Sequence, residues 1–157
     1  MIIGELDMPR MTTNQPPGTS GSLSATIEPA KEAAAQLDRG TDNSEIYDYL
    51  TIIYSIYSEW RRQKRARHSS RLLAKAANVP LRKGTSPIRI LIDATLPDAH
   101  LKQKSRWVRA LEYANAECVP AAQFRKFVQT HGGLAGSARL AAITDGKRSH
   151  PVGYWTD

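Results

Sequence analysis

Apolar residues recur most regularly between positions 46 and 60, where Ile46, Leu50, Ile53, Tyr57 and Trp60 are separated by four, three, four and three. That is the period of one helical face. Tyr49, Ile52, Tyr54 and Ile56 widen the stripe around most of the circumference, so this helix must be covered on several sides or mate with a second copy. Ser44 stands ahead of it as an N-cap, and Glu45 and Asp48 suit the positive end of its dipole. No breaker follows before Arg67-His68-Ser69-Ser70, and the pattern predicts that the helix runs on into basic sequence. A second helix is then expected over 70–77, packing through Leu72, Leu73, Ala76 and Ala77, and ended by Asn78-Val79-Pro80 because the residue before proline avoids helical backbone.

Residues 87–95 carry two periods at once. Ile88, Ile90 and Ile92 alternate like a strand, whereas Ile88, Leu91, Ile92 and Thr95 follow a helical stripe. Ser86-Pro87 decides for helix, since serine is a good N-cap and proline suits the first helical position. Pro97-Asp98 begins the next helix with Asp98 as cap; Leu101, Trp107, Val108, Leu111, Ala114 and Cys118 form its apolar face, and Lys102, Lys104, Arg106 and Arg109 fall largely outside it. Pro120 opens a short helix carrying Phe124, Phe127, Val128 and His131, and Gly132-Gly133 closes it as a C′ glycine. A last small helix covers 134–142. The expected fold is mainly α, a small bundle of about five or six helices with irregular N- and C-terminal tails.

Outside these elements the polar pattern loses its period. Residues 1–43 read as a disordered polar arm, because 9–25 consist mostly of Thr, Asn, Gln, Pro, Gly and Ser and offer too little apolar surface to offset ordering entropy. A short helix over 29–39, with Pro29 in its first turn, would be marginal with only Leu37 to anchor it. Residues 44–143 form the helical domain. Residues 144–157 read as an irregular basic tail, in which Gly146, Pro151 and Gly153 recur and Lys147 and Arg148 carry charge. The length of 157 residues with 41% hydrophobic content suits one domain. No apolar run reaches the roughly 18 to 20 residues of a membrane span, and 1–7 lack the basic and apolar regions of a secretory leader. A lone cysteine, Cys118, excludes an internal disulfide and fits a reducing compartment, so the expected location is cytoplasmic.

Charge then narrows the partner. The chain carries a net +7, and residues 59–83 concentrate it: Arg61, Arg62, Lys64, Arg65, Arg67, Arg71, Lys75, Arg82 and Lys83 oppose the lone Glu59. Cations at this density neutralise phosphates and release their counterions. These nine residues are the candidate nucleic-acid-binding set, and the leading expectation is a non-catalytic, regulatory type of nucleic-acid-binding protein, for DNA more than RNA, acting through a basic helix and loop. The alternative is an interaction or assembly module, or a homodimer, using the aromatic helix over 46–60. A weaker alternative is a metal-dependent nuclease, in which 88–93 as a strand would present Asp93, with Asp98 or Glu112 as second ligand.

Other chemistry has bland explanations. Cys118 on an apolar face reads as a small buried hydrophobe, and His68, His100, His131 and His150 show no spacing that presets zinc ligands. No cofactor and no resident metal are expected. Residues 124–141, Phe-Arg-Lys-Phe-Val-Gln-Thr-His-Gly-Gly-Leu-Ala-Gly-Ser-Ala-Arg-Leu-Ala, resemble the first two helices of the factor-for-inversion-stimulation type of helix-turn-helix. The resemblance implies a reading helix after Ile143, where Gly146, Pro151 and Gly153 stand instead. Residues 70–80 resemble the start of such a motif as well, followed by a longer loop. A plain helical hairpin accounts for either.

Overall fold

The computed structural model describes residues 20–37 and 43–155, with side chains over 23–37 and 43–144. The parts of the expected arm over 1–19 and 38–42, and the tail residues 156–157, lie outside them. The described chain forms seven α-helices and no strands, a mainly α bundle. In order these are α1 (Ser20–Leu37), α2 (Asn43–Arg62), α3 (Ala66–Ala76), α4 (Pro87–Thr95), α5 (Leu101–Ala116), α6 (Phe124–Thr130), preceded by a 3-10 turn over Ala121–Gln123, and α7 (Gly133–Trp155).

The central element is α2. Tyr49, Leu50, Ile53, Tyr54, Ile56 and Trp60 are all buried, and α1, α3, α4, α5 and α6 each pack against it. The broad apolar circumference that suggested a dimer is thus covered from within the chain. Two tyrosines tie α2 to distant segments. The Thr95 hydroxyl donates to Leu91 O (2.8 Å), which leaves Tyr49 to donate to Thr95 Oγ1 (2.6 Å). Tyr54 donates to Val119 O (2.6 Å) and stacks on Phe124 at 5.0 Å between ring centroids.

Burial raises the pKa of Tyr49 and Tyr57, and it pushes Tyr54 up to about 12 against a weaker opposing effect of Arg61. A tyrosine whose folded pKa exceeds its unfolded value contributes stability that is full below the unfolded value of about 10 and is lost as pH rises through the folded one. Stability is therefore expected to fall above pH 10. Tyr54→Phe should cost about 1 kcal/mol at pH 8 through the lost hydrogen bond and make the alkaline decline shallower. Urea melts of both proteins at pH 8 and 11 check this; equal declines in the two would contradict it.

Several boundaries differ from the sequence expectation. Most of the second half of the expected arm is helix: α1 starts at Ser20, and Ile27, Ala30 and Ala34 are buried against α2 and α4. Pro29 sits inside α1 rather than in its first turn. The backbone bond this proline removes is outweighed by the stripe Leu23, Ile27, Ala30, Ala34 and Leu37, all of which join the core cluster. At the other end α7 extends through the expected tail to Trp155. His100, not Asp98, caps α5, its Nδ1 accepting from Lys102 N at 3.3 Å. The helix over 87–95 is present with the Ser-Pro start that predicts it, Ser86 Oγ accepting from Arg89 N at 3.2 Å.

Candidate nucleic-acid interface

The basic run does not continue α2. Helix α2 stops at Arg62, and α3 begins at Ala66 after a turn in which Lys64 has φ of 58°. Lys64 N donates to Arg61 O (2.9 Å) and Arg65 N to Trp60 O (2.8 Å), so the last carbonyls of α2 are satisfied by a Schellman turn. A side chain in that left-handed region costs roughly 1–2 kcal/mol, and no glycine marks the site in the sequence. The same turn recurs at Asn78, after α3, and at Cys118, after α5, with φ of 56° and 57°.

This break divides the nine predicted cations. Arg61 hydrogen-bonds Asn115 Oδ1 of α5. Arg62 is held by Glu59 through two bonds of 2.5 and 2.9 Å; together with the Gln63 amide it keeps the Glu59 carboxyl below its usual range. Lys64 and Arg65 are exposed in the turn. Arg67, Arg71 and Lys75 are exposed on α3 at i, i+4 and i+8, about 6 Å apart along the axis. Arg82 and Lys83 lie in the loop that follows α3.

Four of the nine meet. A groove of about 940 Å³ lies between α3 and the loop, with Arg67 and Arg71 on one side, Arg82 and Lys83 on the other, and Ser70 and Ile90 also lining it. Among the described residues no carboxylate lines it. None of the four cations is ion-paired among the described residues. The loop turns at Gly84, whose φ of 83° suits glycine, with Thr85 N donating to Arg82 O at 3.1 Å. It delivers Ser86 and Pro87, the start of α4, to the same groove, so the positive end of that helix adds to the field of the four cations. Lys75 does not line this groove but another, between α1 and α3.

Sequence reasoning passed over a further exposed cation row on α5, Lys102, Arg106 and Arg109, although their i, i+4, i+7 spacing puts them on one face. It also misplaced Lys104, which is 4% exposed. Its Nζ donates to Asp93 Oδ1 (2.9 Å) and Pro97 O (2.8 Å), while Arg89 Nε holds Asp93 from within α4 at 3.1 Å. The nuclease reading needed a strand ending in a free carboxylate. Instead Asp93 sits on a helix between two cations, and among the described residues no three His, Cys, Asp or Glu side chains come together.

Removing one member of such a pair leaves the other charge without its partner. Asp93→Asn should lower stability by about 2 kcal/mol, the partial exposure of Asp93 keeping this below the value for a fully buried pair. Combining it with Lys104→Met should restore most of the loss. Chemical denaturation of the three variants reads this directly, and an additive double variant would show that the pair is uncoupled.

The expected buried role of Cys118 is corrected: the thiol is exposed, because α5 ends at Ala116 and Cys118 occupies the left-handed turn beyond it. His131 borders the same shallow groove as Cys118, but its Nδ1 is engaged with Phe127 O (2.7 Å) and its ring packs on Phe127 at 4.2 Å. The glycine turn does join two helices, as the helix-turn-helix resemblance implied. The second, α7, then continues unbroken to Trp155, so no third, reading helix starts after Ile143. The stretch 70–80 ends α3 and enters the loop that leads to α4.

Compared with known proteins, the chain matches no protein-family model, no curated protein and no solved structure. Among the described residues no helix is long and apolar enough to cross a membrane.

Proposed function

We propose that this protein is a non-catalytic nucleic-acid binder that grips the phosphate backbone in the groove between α3 and the loop before α4. The observation that carries the reading is the convergence of Arg67, Arg71, Arg82 and Lys83 on one concave surface with no carboxylate among the described residues that line it. Cations of a surface normally disperse or pair with acids, and holding four together without a counter-charge costs repulsion unless a polyanion offsets it. Guanidinium groups also suit phosphate geometrically, since their planar donors bond two oxygens at once. The groove adds backbone character from the start of α4, a second source of positive potential for phosphate oxygens.

Phosphate contact alone gives register without base reading, so the expected binding is broad across sequences. Duplex DNA is the first ligand and duplex RNA the comparison. The purified, nucleic-acid-free protein should shift a labelled duplex at about 150 mM salt, with log K falling linearly against log salt at about 0.9 unit per phosphate neutralised. Absence of binding even at 50 mM salt would defeat the proposal.

A further inference from the structure

Between α1 and α3 lies a second groove, of about 520 Å³. Leu23 of α1 and Leu72 of α3 give it accessible apolar surface over a floor of buried Ile27 and Leu73, with Lys31 and Lys75 contributed from the two helices. Leu72 is 40% exposed there, and neither lysine is ion-paired among the described residues. Among the described residues no carboxylate lines this groove either. The surface is therefore apolar with two unneutralised ammonium groups, and its matching occupant is apolar with about two negative charges.

The chain contains such a segment. Ile2-Ile3-Gly4-Glu5-Leu6-Asp7-Met8 interleaves four large apolar residues with two carboxylates and has no cation. We propose that residues 2–8 dock in cis into the α1–α3 groove, the apolar side chains on Leu23 and the exposed Leu72 and Glu5 and Asp7 against Lys31 and Lys75. Reach does not limit this. Leu23 and Ser24 of the first turns of α1 line the groove, and the dozen residues from Met8 to Ser20 span up to about 40 Å when extended, longer than the roughly 27 Å of α1 itself. Tethering raises the effective concentration of the segment to the millimolar range, so an intrinsically weak contact is populated. The groove around Arg67 and Arg82, where Leu81 is exposed beside four cations, is the competing site, and the test below separates the two. This inference does not rest on the nucleic-acid reading.

The test uses the full chain in a Cys118→Ser background with Gly4→Cys carrying a nitroxide label, read by the methyl signals of its Ile and Leu residues. Docking broadens Leu72, Leu73 and Ile27 to less than half of their intensity with the label reduced, and spares Ile143 of α7. Glu5→Lys with Asp7→Lys should abolish the broadening, and adding Lys31→Glu with Lys75→Glu should bring it back. Equal intensities in the oxidised and reduced states would overturn the proposal. So would broadening that survives the charge reversal, that centres on Leu81 and Ile90 instead, or that appears on unlabelled chains mixed with labelled ones, the last meaning that a second copy is the occupant.

Discussion

Gly136→Ala is expected to destabilise the protein by about 3 kcal/mol, a fall in Tm of the order of 10 °C for a chain of this size. In an ordinary helical position the same change stabilises, by about 1 kcal/mol. The sign reverses because of how α6 hands over to α7. His131 ends α6, Gly132 and Gly133 take φ of 86° and 76°, and the chain turns back so sharply that Gly136, one turn into α7, lies beneath the His131 carbonyl. A Cβ at Gly136 would clash with His131 O and stand 3.2 Å from its carbonyl carbon. His131 has little freedom to retreat. Its backbone N–H is shared between Phe127 O and Val128 O, its Nδ1 contacts Phe127 O, and its ring lies against Phe127 and Tyr113. Relief must therefore come from opening the turn, which would also disturb the packing of α7 on α5, the most extensive helix pairing in the bundle. Thermal melting settles the matter, and an unchanged or higher Tm would show that the turn relaxes freely.

Where large side chains mark the period, the sequence was readable. The stripe from Ile46 to Trp60 identifies the most buried helix, and Ser86-Pro87 resolves the ambiguous 87–95 because capping chemistry acts locally. Helix α1 was harder to see although its period is equally regular. Two of its five inward positions are alanines and Pro29 lies among them, so composition suggested a weak helix while tertiary contact with α2 supplies the stability. Lys104 shows the same limitation in another form. It falls three residues before Trp107 and seven before Leu111, squarely on the apolar face, but a charged residue there is assigned to solvent unless its partner Asp93 on α4 is known. The division of the basic run was least visible. Lys64 adopts a conformation that sequence reserves for glycine, and that turn separates Arg61 and Arg62, which are engaged with α5 and Glu59, from the cations that face the groove. Density of charge in sequence therefore located the region of the basic groove and not its membership.

That membership leads to the second large effect. Replacing Arg67, Arg71, Arg82 and Lys83 together with Gln is expected to weaken duplex binding roughly a hundredfold at 150 mM salt and to reduce the salt slope by up to about 3.6 units if all four contact phosphate. Folding should be retained, because all four side chains are exposed and make no ion pair among the described residues. The informative comparison is Lys102, Arg106 and Arg109 of α5 replaced with Gln. That change removes three of the net +7 charges from another exposed face, while the groove variant removes four, so loss of overall charge alone predicts similar deficits. A phosphate site in the groove predicts instead that the α5 variant loses less than about tenfold and keeps most of its slope. Arg61 and Arg62 provide a sharper contrast still, since they lie in the same basic run but are held by Asn115 and Glu59. Their replacement with Gln should change affinity by no more than a few-fold, even though sequence position alone would place them in the site. Equal losses in all three variants would assign the binding to diffuse positive charge and remove the groove from the account.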